Sequence, residues 1–597
     1  MRSFELVSPH ARPQTSTVSD TSDGTVFESL YHISLAVTMR FTPSVFGALA
    51  LAGGAAAVEM AVNEELASSF YDSGLAMDQI MTAKLAHWEM EEEMGIMAAE
   101  FPAWHKRVRC SNGIADALPG VPGHQFKCRN MDLYSFIPMA DLGCPNAMGS
   151  GSWGWTDEES GREFVAAGCY YGTAFMEILP TGQLVKLGFL TSYAALGSGS
   201  RWKELRGYKN YMVIGSELDN HGVQIFDMKK LLTVDPASPV TFDGTISTSS
   251  DLTSHIQPSV FGRSHNVHVH NSLPYFVTVG MGPRLQGEPT CWSGIIFWDI
   301  TDIENPKRVG CAGEDGYVHD IQCLIYKGPD TKYVGTDVCY GYNEDTLTIY
   351  NVTDKANASI ISRTSYTGAS YTHQGEVLDK EWQQYIILDD ETDEVNLRGP
   401  AADRYPVTYV WDISSLEAPK QTGIYKGTTT TIDHNQYVIG DHVYQSNYGS
   451  GLRVYDISSI PENSKGTDVC EVAFVDILPE DDNLPGGGNV TYSGTWSHYP
   501  YFKSGYIFVH TIERGAFVAK AAGAFPKCKK SCNADNCLRG MRSADKLEES
   551  KAFCGEFTKT VNVNVTALAS TVPYVANACS GNVISRVSSA CACLPTA

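Results

Sequence analysis

The 597-residue chain has a formal net charge of −24, with 44 Lys and Arg against 68 Asp and Glu. That balance excludes nucleic acid or an anionic membrane surface as the partner, since either needs clustered cations that displace counterions. With 11% aromatic residues, 54 glycines and 19% charged residues, the composition favours many short strands joined by tight turns, and the expected fold class is all-β.

Residues 1–38 are polar and match no targeting pattern, whereas Met39 begins MRFTPSVFGALALAGGAAA. One Arg, an apolar run and small residues ending Ala55-Ala56-Ala57 are the pattern of a secretory signal peptide. The reading is that 1–38 form a non-native upstream extension and 39–57 a signal peptide cleaved near Ala57. The apolar run is too short to span a bilayer comfortably, and no other stretch is long and apolar enough, so no membrane span is expected. Sixteen cysteines and the sequons at Asn351, Asn357, Asn489 and Asn564 fit an oxidising destination, extracellular or cell wall.

Residues 58–126 are rich in Ala, Met and Glu near their start, with apolar positions close to helical spacing, and predict one or two helices. Met77, Ile80, Met81, Leu85 and Trp88 form a stripe read as a packing face that seals an edge or one face of the body. From 127 to 522 one unit repeats: an apolar run ending in an acidic or amide residue. The copies are AFMEI at Glu177, VQIFD at Asp227, IIFWD at Asp299, LTIYN at Asn351, TYVWD at Asp412, LRVYD at Asp456 and a degenerate GAFVA near Ala519. Read as the third strand of a four-stranded blade, these predict a seven-bladed β-propeller, in which each small sheet buries its faces only against its neighbours.

The first strand of each copy is preceded by Trp155, Trp202, His265, His319, His373, His434 or Trp496. Because strands alternate in direction, the loop between the second and third strands opens on the same face. Those loops carry Glu217 and Asp219, Asn343 to Asp345, Asp389 to Glu394, Ser446 and Asn447, and Glu513, so a polar, His-bearing, acid-rimmed channel mouth is expected.

These copies resemble the LVIVD-repeat proteins of the choice-of-anchor B type, and more closely their secreted fungal branch, often labelled regulatory P domain-containing proteins. The matching stretches include WGWTDEESGREFVAAG, YMVIGSELDNHGVQIFD, GEDGYVHDIQC, CYGYNEDTLTIYNVTDK, SYTHQGEVLD, PVTYVWDISSLEAPKQTG, SNYGSGLRVYDIS and PEDDNLPGGG. The resemblance implies a secreted propeller without an established reaction; Asn351 departs from the Asp expected at the end of its strand. Residues 523–597 resemble a different fungal extracellular module, a small disulfide-rich C-terminal unit whose cysteines permit several connectivities. A zinc site is the rival there, but paired CxxC spacing and His are both missing.

Cys323 and Cys339 sit on strands joined by a hairpin, where a cross-strand disulfide is natural. Cys110 with Cys128, Cys144 with Cys169, and Cys291 with Cys311 are candidate pairs by proximity. The candidate metal or ligand set is His265, His319, Asp320, His373 and His434 with the rim acids Glu217 and Asp390, because neutral imidazole and carboxylate hold divalent metals such as zinc. Beside it stands a structural alternative: polar pairs opening inner strands also tie neighbouring blades by hydrogen bonds. DDETDE at Asp389 to Glu394 reads either as a calcium site or as a solvated acidic loop. The chain has no GxSxG, no HExxH and no phosphate loop at Pro485 to Gly488. Two functions fit: a secreted binding or scaffold protein for a cell-wall polymer or an extracellular protein, or a metal-dependent extracellular hydrolase or lyase at the channel mouth.

Overall fold

The computed structural model describes residues 70–528, apart from 145–147, 194–197, 246–250, 257–261, 281–290 and 292, together with parts of 536–594. The expected extension, the signal peptide and the sequon at Asn564 lie outside the described residues. Seven antiparallel sheets open on the inner strands Ser152–Thr156, Lys203–Tyr208, Asn266–Val269, Asp320–Ile325, Thr372–Val377, Gln436–Ile439 and Thr495–Tyr499, blades 1 to 7. Blade 4 shows the plan: Asp320–Ile325, Asp337–Tyr342, Leu347–Asn351 and Ser359–Thr364 pair outward in chain order.

The chain closes the ring with a strand from its own beginning. Met131–Pro138 pairs antiparallel with Gly515–Ala521 as the outer strand of blade 7. Gln125–Arg129 and Ile114–Asp116 extend blade 6 beyond Cys470–Val475. Val240–Phe242 adds a parallel strand to blade 1.

The repeated run is the third strand in every blade, and its terminal residue has a local task. The Oδ1 atoms of Asp227, Asp299, Asn351, Asp412 and Asp456 each accept a hydrogen bond from the backbone N–H two residues on, at 2.7–3.1 Å. This Asx turn stops the strand and starts the outward loop. Asn351 does so as well as Asp, because only the side-chain oxygen is used. Glu177 instead forms a bidentate pair with Arg162, at 2.8 and 2.7 Å. Between blades the strand faces meet as apolar clusters, as where Phe164, Phe175, Phe226 and Phe242 join blades 1 and 2.

All four expected body disulfides are formed: Cys110–Cys128, Cys144–Cys169, Cys291–Cys311 and Cys323–Cys339, the last across directly paired residues. Cys470–Cys528 and Cys554–Cys591 join them. In the C-terminal module Cys537 and Cys593 are disulfide-bonded too, which removes these thiolates from the zinc alternative. The module holds helices Asn536–Met541 and Leu547–Phe557 around a core that includes Leu538, Met541 and Val587.

One of the one or two helices expected in 58–126 is present, and the described chain from it to residue 126 is not helical. Among the described residues only Leu75–Glu93, here α1, is a long helix, and the chain after it runs as bridges and short strands along blades 6 and 7. α1 lies across one end of the channel. Met77 packs with Tyr317 and Tyr371, and Trp88 is fully buried beside Trp202 and Trp496, its indole N–H donating to Tyr492 O at 2.8 Å. Trp88→Ala is therefore expected to cost ~3–5 kcal/mol in denaturant unfolding. Met94→Ala, at a position 66% exposed just past the helix, should stay within about 0.5 kcal/mol.

Candidate functional site

The four histidines that precede or open the inner strands of blades 3 to 6 come together as a stacked arc. Ring centroids are 4.3 Å apart for His265 and His319, 4.4 Å for His319 and His373, and 4.4 Å for His373 and His434. Trp496 and Trp202 continue the arc. Trp155 does not belong to it: its ring stacks on Phe164, farther along the inner strand. The residue preceding the first inner strand is Gly151, where a Cβ would come within 2.4 Å of Lys203 O, so close blade packing leaves no space for a ring.

Each imidazole is fixed through Nδ1. His319 donates to His373 O at 2.8 Å and His434 to Trp496 O at 2.8 Å, since a carbonyl only accepts. His373 faces Asp389 Oδ1 at 3.1 Å, and His265 faces Glu217 Oε1 at 2.9 Å. Burial pushes His319 and His434 well below the usual imidazole range. Burial acts the same way on His373, but Asp389 and Glu391 outweigh it and raise the ring's pKa.

Apart from a cleft beside Trp202, Glu217 and Arg263, the mouth is closed. α1 covers it, and Lys84, 3% exposed, reaches Glu391 Oε1 at 2.5 Å, with its ammonium also over the rings of Tyr448, Tyr492 and Trp496. Tyr448 donates to the same Oε1 at 2.5 Å, and His434 Nε2 lies 3.6 Å from it. Burial alone would raise the Glu391 carboxyl, but Lys84 and the flanking imidazoles hold it down at about 2.

The solvated-loop reading of DDETDE is overturned, for all of Asp389 to Glu394 are buried. Asp390 is a structural acceptor, taking bonds from Ser370 N, Tyr371 N and the Tyr366 hydroxyl at 2.7–2.8 Å. Glu217 is occupied by His265 and Arg263. Asp320 accepts from Gln374 Nε2 at 2.8 Å, tying blade 4 to blade 5, and it lines the opposite end of the channel rather than the mouth. One ligand atom each from His319, His373 and Glu391 lie within 4.8 Å of one another. Glu391 and Lys84 are the members that sequence reasoning missed. Asp476, Asp481 and Asp482 make a second acidic group, in which Arg453 and Lys127 already pair two of the three.

The other end of the channel is open. A cavity of about 580 Å³ sits among the distal halves of the inner strands. Trp153 packs edge-on against Tyr437 and Tyr499, at 5.6 and 5.2 Å, and Tyr501 lies 5.9 Å from Tyr437. The Arg206 guanidinium lies over the rings of Trp153 and Tyr437. Gln322, Gln374 and Glu376 complete the polar wall, held by bonds such as Gln322 Nε2 to Glu376 Oε1 at 3.2 Å.

No family model matches the chain, and no curated protein does. Among solved structures, the computationally designed Ika8 protein aligns over 61% of this chain and 81% of its own, at 11% identity and TM-score 0.33. The Cps50 (Swd1) β-propeller domain of Myceliophteria thermophila aligns over 60% and 93%, at 10% identity and TM-score 0.36. The seven-bladed architecture rests on the strand pairing described above.

The buried acids fix the sign of a pH response. Burial raises Asp389 and Asp390 to about 6, and Asp345 and Glu513 to about 7. Asp393, Glu394 and Asp433 are pushed well above the carboxylate range by burial and by neighbouring carboxylates. An acid with a raised folded pKa stabilises below its unfolded pKa and loses that contribution as pH rises through the folded value. Thermal melts should thus show a midpoint highest near about pH 4 that falls toward about pH 8. Asp433→Asn should flatten that slope.

Proposed function

We propose that the protein is a secreted binding or scaffold propeller that takes a saccharide segment of a cell-wall or extracellular polymer into the open end of its channel. The observation that carries this reading is the wall of Trp153, Tyr437, Tyr499 and Tyr501 beside Arg206, Gln322 and Glu376. Aromatic faces match the C–H faces of sugar rings, while planar amide, carboxylate and guanidinium groups match their hydroxyls. The cavity volume of about 580 Å³ suits a few sugar units. Formed disulfides support an oxidising location. So does the resemblance of the repeats to secreted LVIVD-type propellers, and no helix among the described residues is long and apolar enough to cross a membrane.

The rival reading, a metal-dependent extracellular hydrolase or lyase at the channel mouth, needs a substrate to reach residues that α1 covers. The open end has no such obstruction. Oligosaccharides from fungal and plant walls, titrated calorimetrically into the full chain, are expected to include a saturable ligand. Trp153→Ala and Arg206→Gln should each weaken it by about tenfold or more in protein that still melts cooperatively. Absence of any saccharide ligand, or wild-type affinity in both variants, refutes the reading.

A further inference from the structure

We propose that His319, His373 and Glu391 form a buried binding site for one imidazole-preferring divalent transition ion, zinc or copper, sealed beneath α1. One ligand atom from each of the three lies within 4.8 Å of the others, and all three residues are buried. The hydrogen bonds set the tautomers. Nδ1 of His319 carries the proton donated to His373 O, and Nδ1 of His373 faces the Asp389 carboxylate. That leaves Nε2 of each ring as the ligating lone pair, with a carbonyl or carboxylate behind it, as in ligating imidazoles generally.

Glu391 supplies the charge and an independent sign of a ligand. Its Oε1 is engaged by Lys84 and Tyr448, but Oε2 is buried with no hydrogen-bond partner. A bare oxygen on a buried carboxylate is costly unless something positive meets it. Two imidazoles and one carboxylate, without sulfur, favour zinc or copper over calcium or magnesium. Calcium at the neighbouring DDETDE run is not supported by the same geometry, since Asp390 is consumed by backbone and tyrosine donors. Lys84 shares the carboxylate, so its charge opposes the ion.

The site differs in place and role from the proposed saccharide pocket. The ion would tie blades 4 and 5 to the loop that α1 grips, and the failure of either reading leaves the other standing. The test uses the untagged full chain, stripped with chelator and titrated separately with zinc(II) and copper(II). One equivalent should bind saturably. His373→Gln and Glu391→Gln should each weaken uptake by at least about tenfold, and Lys84→Met should tighten it. The wild-type copper(II) spin-resonance spectrum needs no variant and should show nitrogen hyperfine splitting from imidazole.

Uptake below about one-tenth of an equivalent overturns the proposal. So does unchanged uptake in the His319→Gln/His373→Gln double variant. An all-oxygen copper spectrum, which would place the ion at Asp476, Asp481 and Asp482, does so as well.

Discussion

Ring closure is the constraint on which the rest depends. A blade buries its two faces only against its neighbours, so a ring of seven is stable when the last sheet is completed from outside its own repeat. Here Met131–Pro138 completes it. Because α1 precedes that strand in the chain, the segment that closes the ring also brings a helix to the channel mouth. The same topological event thus creates one sealed end and one open end.

The two ends then follow different electrostatics. At the mouth, Asp389, Asp390, Glu391, Asp393 and Glu394 are carried out of water together. Such a concentration of acid is tolerable only where protons, hydrogen bonds or cations compensate it. Each device is present: Asp390 takes four donors, Glu391 has Lys84, and Asp393 with Glu394 titrate upward. At the open end Arg206, Asp320 and Glu376 are buried too, but each has its partner in Glu204, Gln374 or Lys380, and the walls are aromatic. The inner-strand polar residues do what propellers require of them, binding blade to blade through pairs such as Asp320 with Gln374.

What could be read from the sequence follows the range of the interaction. The third-strand signature was legible because its terminal Asp or Asn makes a bond two residues away, so local sequence contains both partners. The four histidines were legible because the repeat aligns them. Trp155 was misplaced because the first blade has Gly151 where the others have rings, and an aromatic nearby filled the pattern. DDETDE looked solvated because its partners lie outside the run: Tyr366, Ser370 and Tyr371 hold Asp390, Tyr409 holds Asp393, and Lys84 of α1, some 300 residues earlier in the chain, holds Glu391. Lys84 sat in a stripe read only for its apolar members. The aromatic wall was invisible because Trp153, Tyr437, Tyr499 and Tyr501 come from three separate blades, without a shared motif.

Cys470–Cys528 gives the chain a load path. Cys470 opens the outer strand of blade 6, the strand against which Gln125–Arg129 pairs, and Cys110–Cys128 fastens that added strand in turn. Cys528 N also bonds Asp456 Oδ2 at 2.9 Å, and Phe525 packs on His442. Tension applied at the C-terminal module therefore enters blade 6 through a covalent bond and spreads along hydrogen-bonded strands, instead of peeling Gly515–Ala521 away from the strand that closes the ring. A molecule anchored at its tail can be pulled there without opening its propeller.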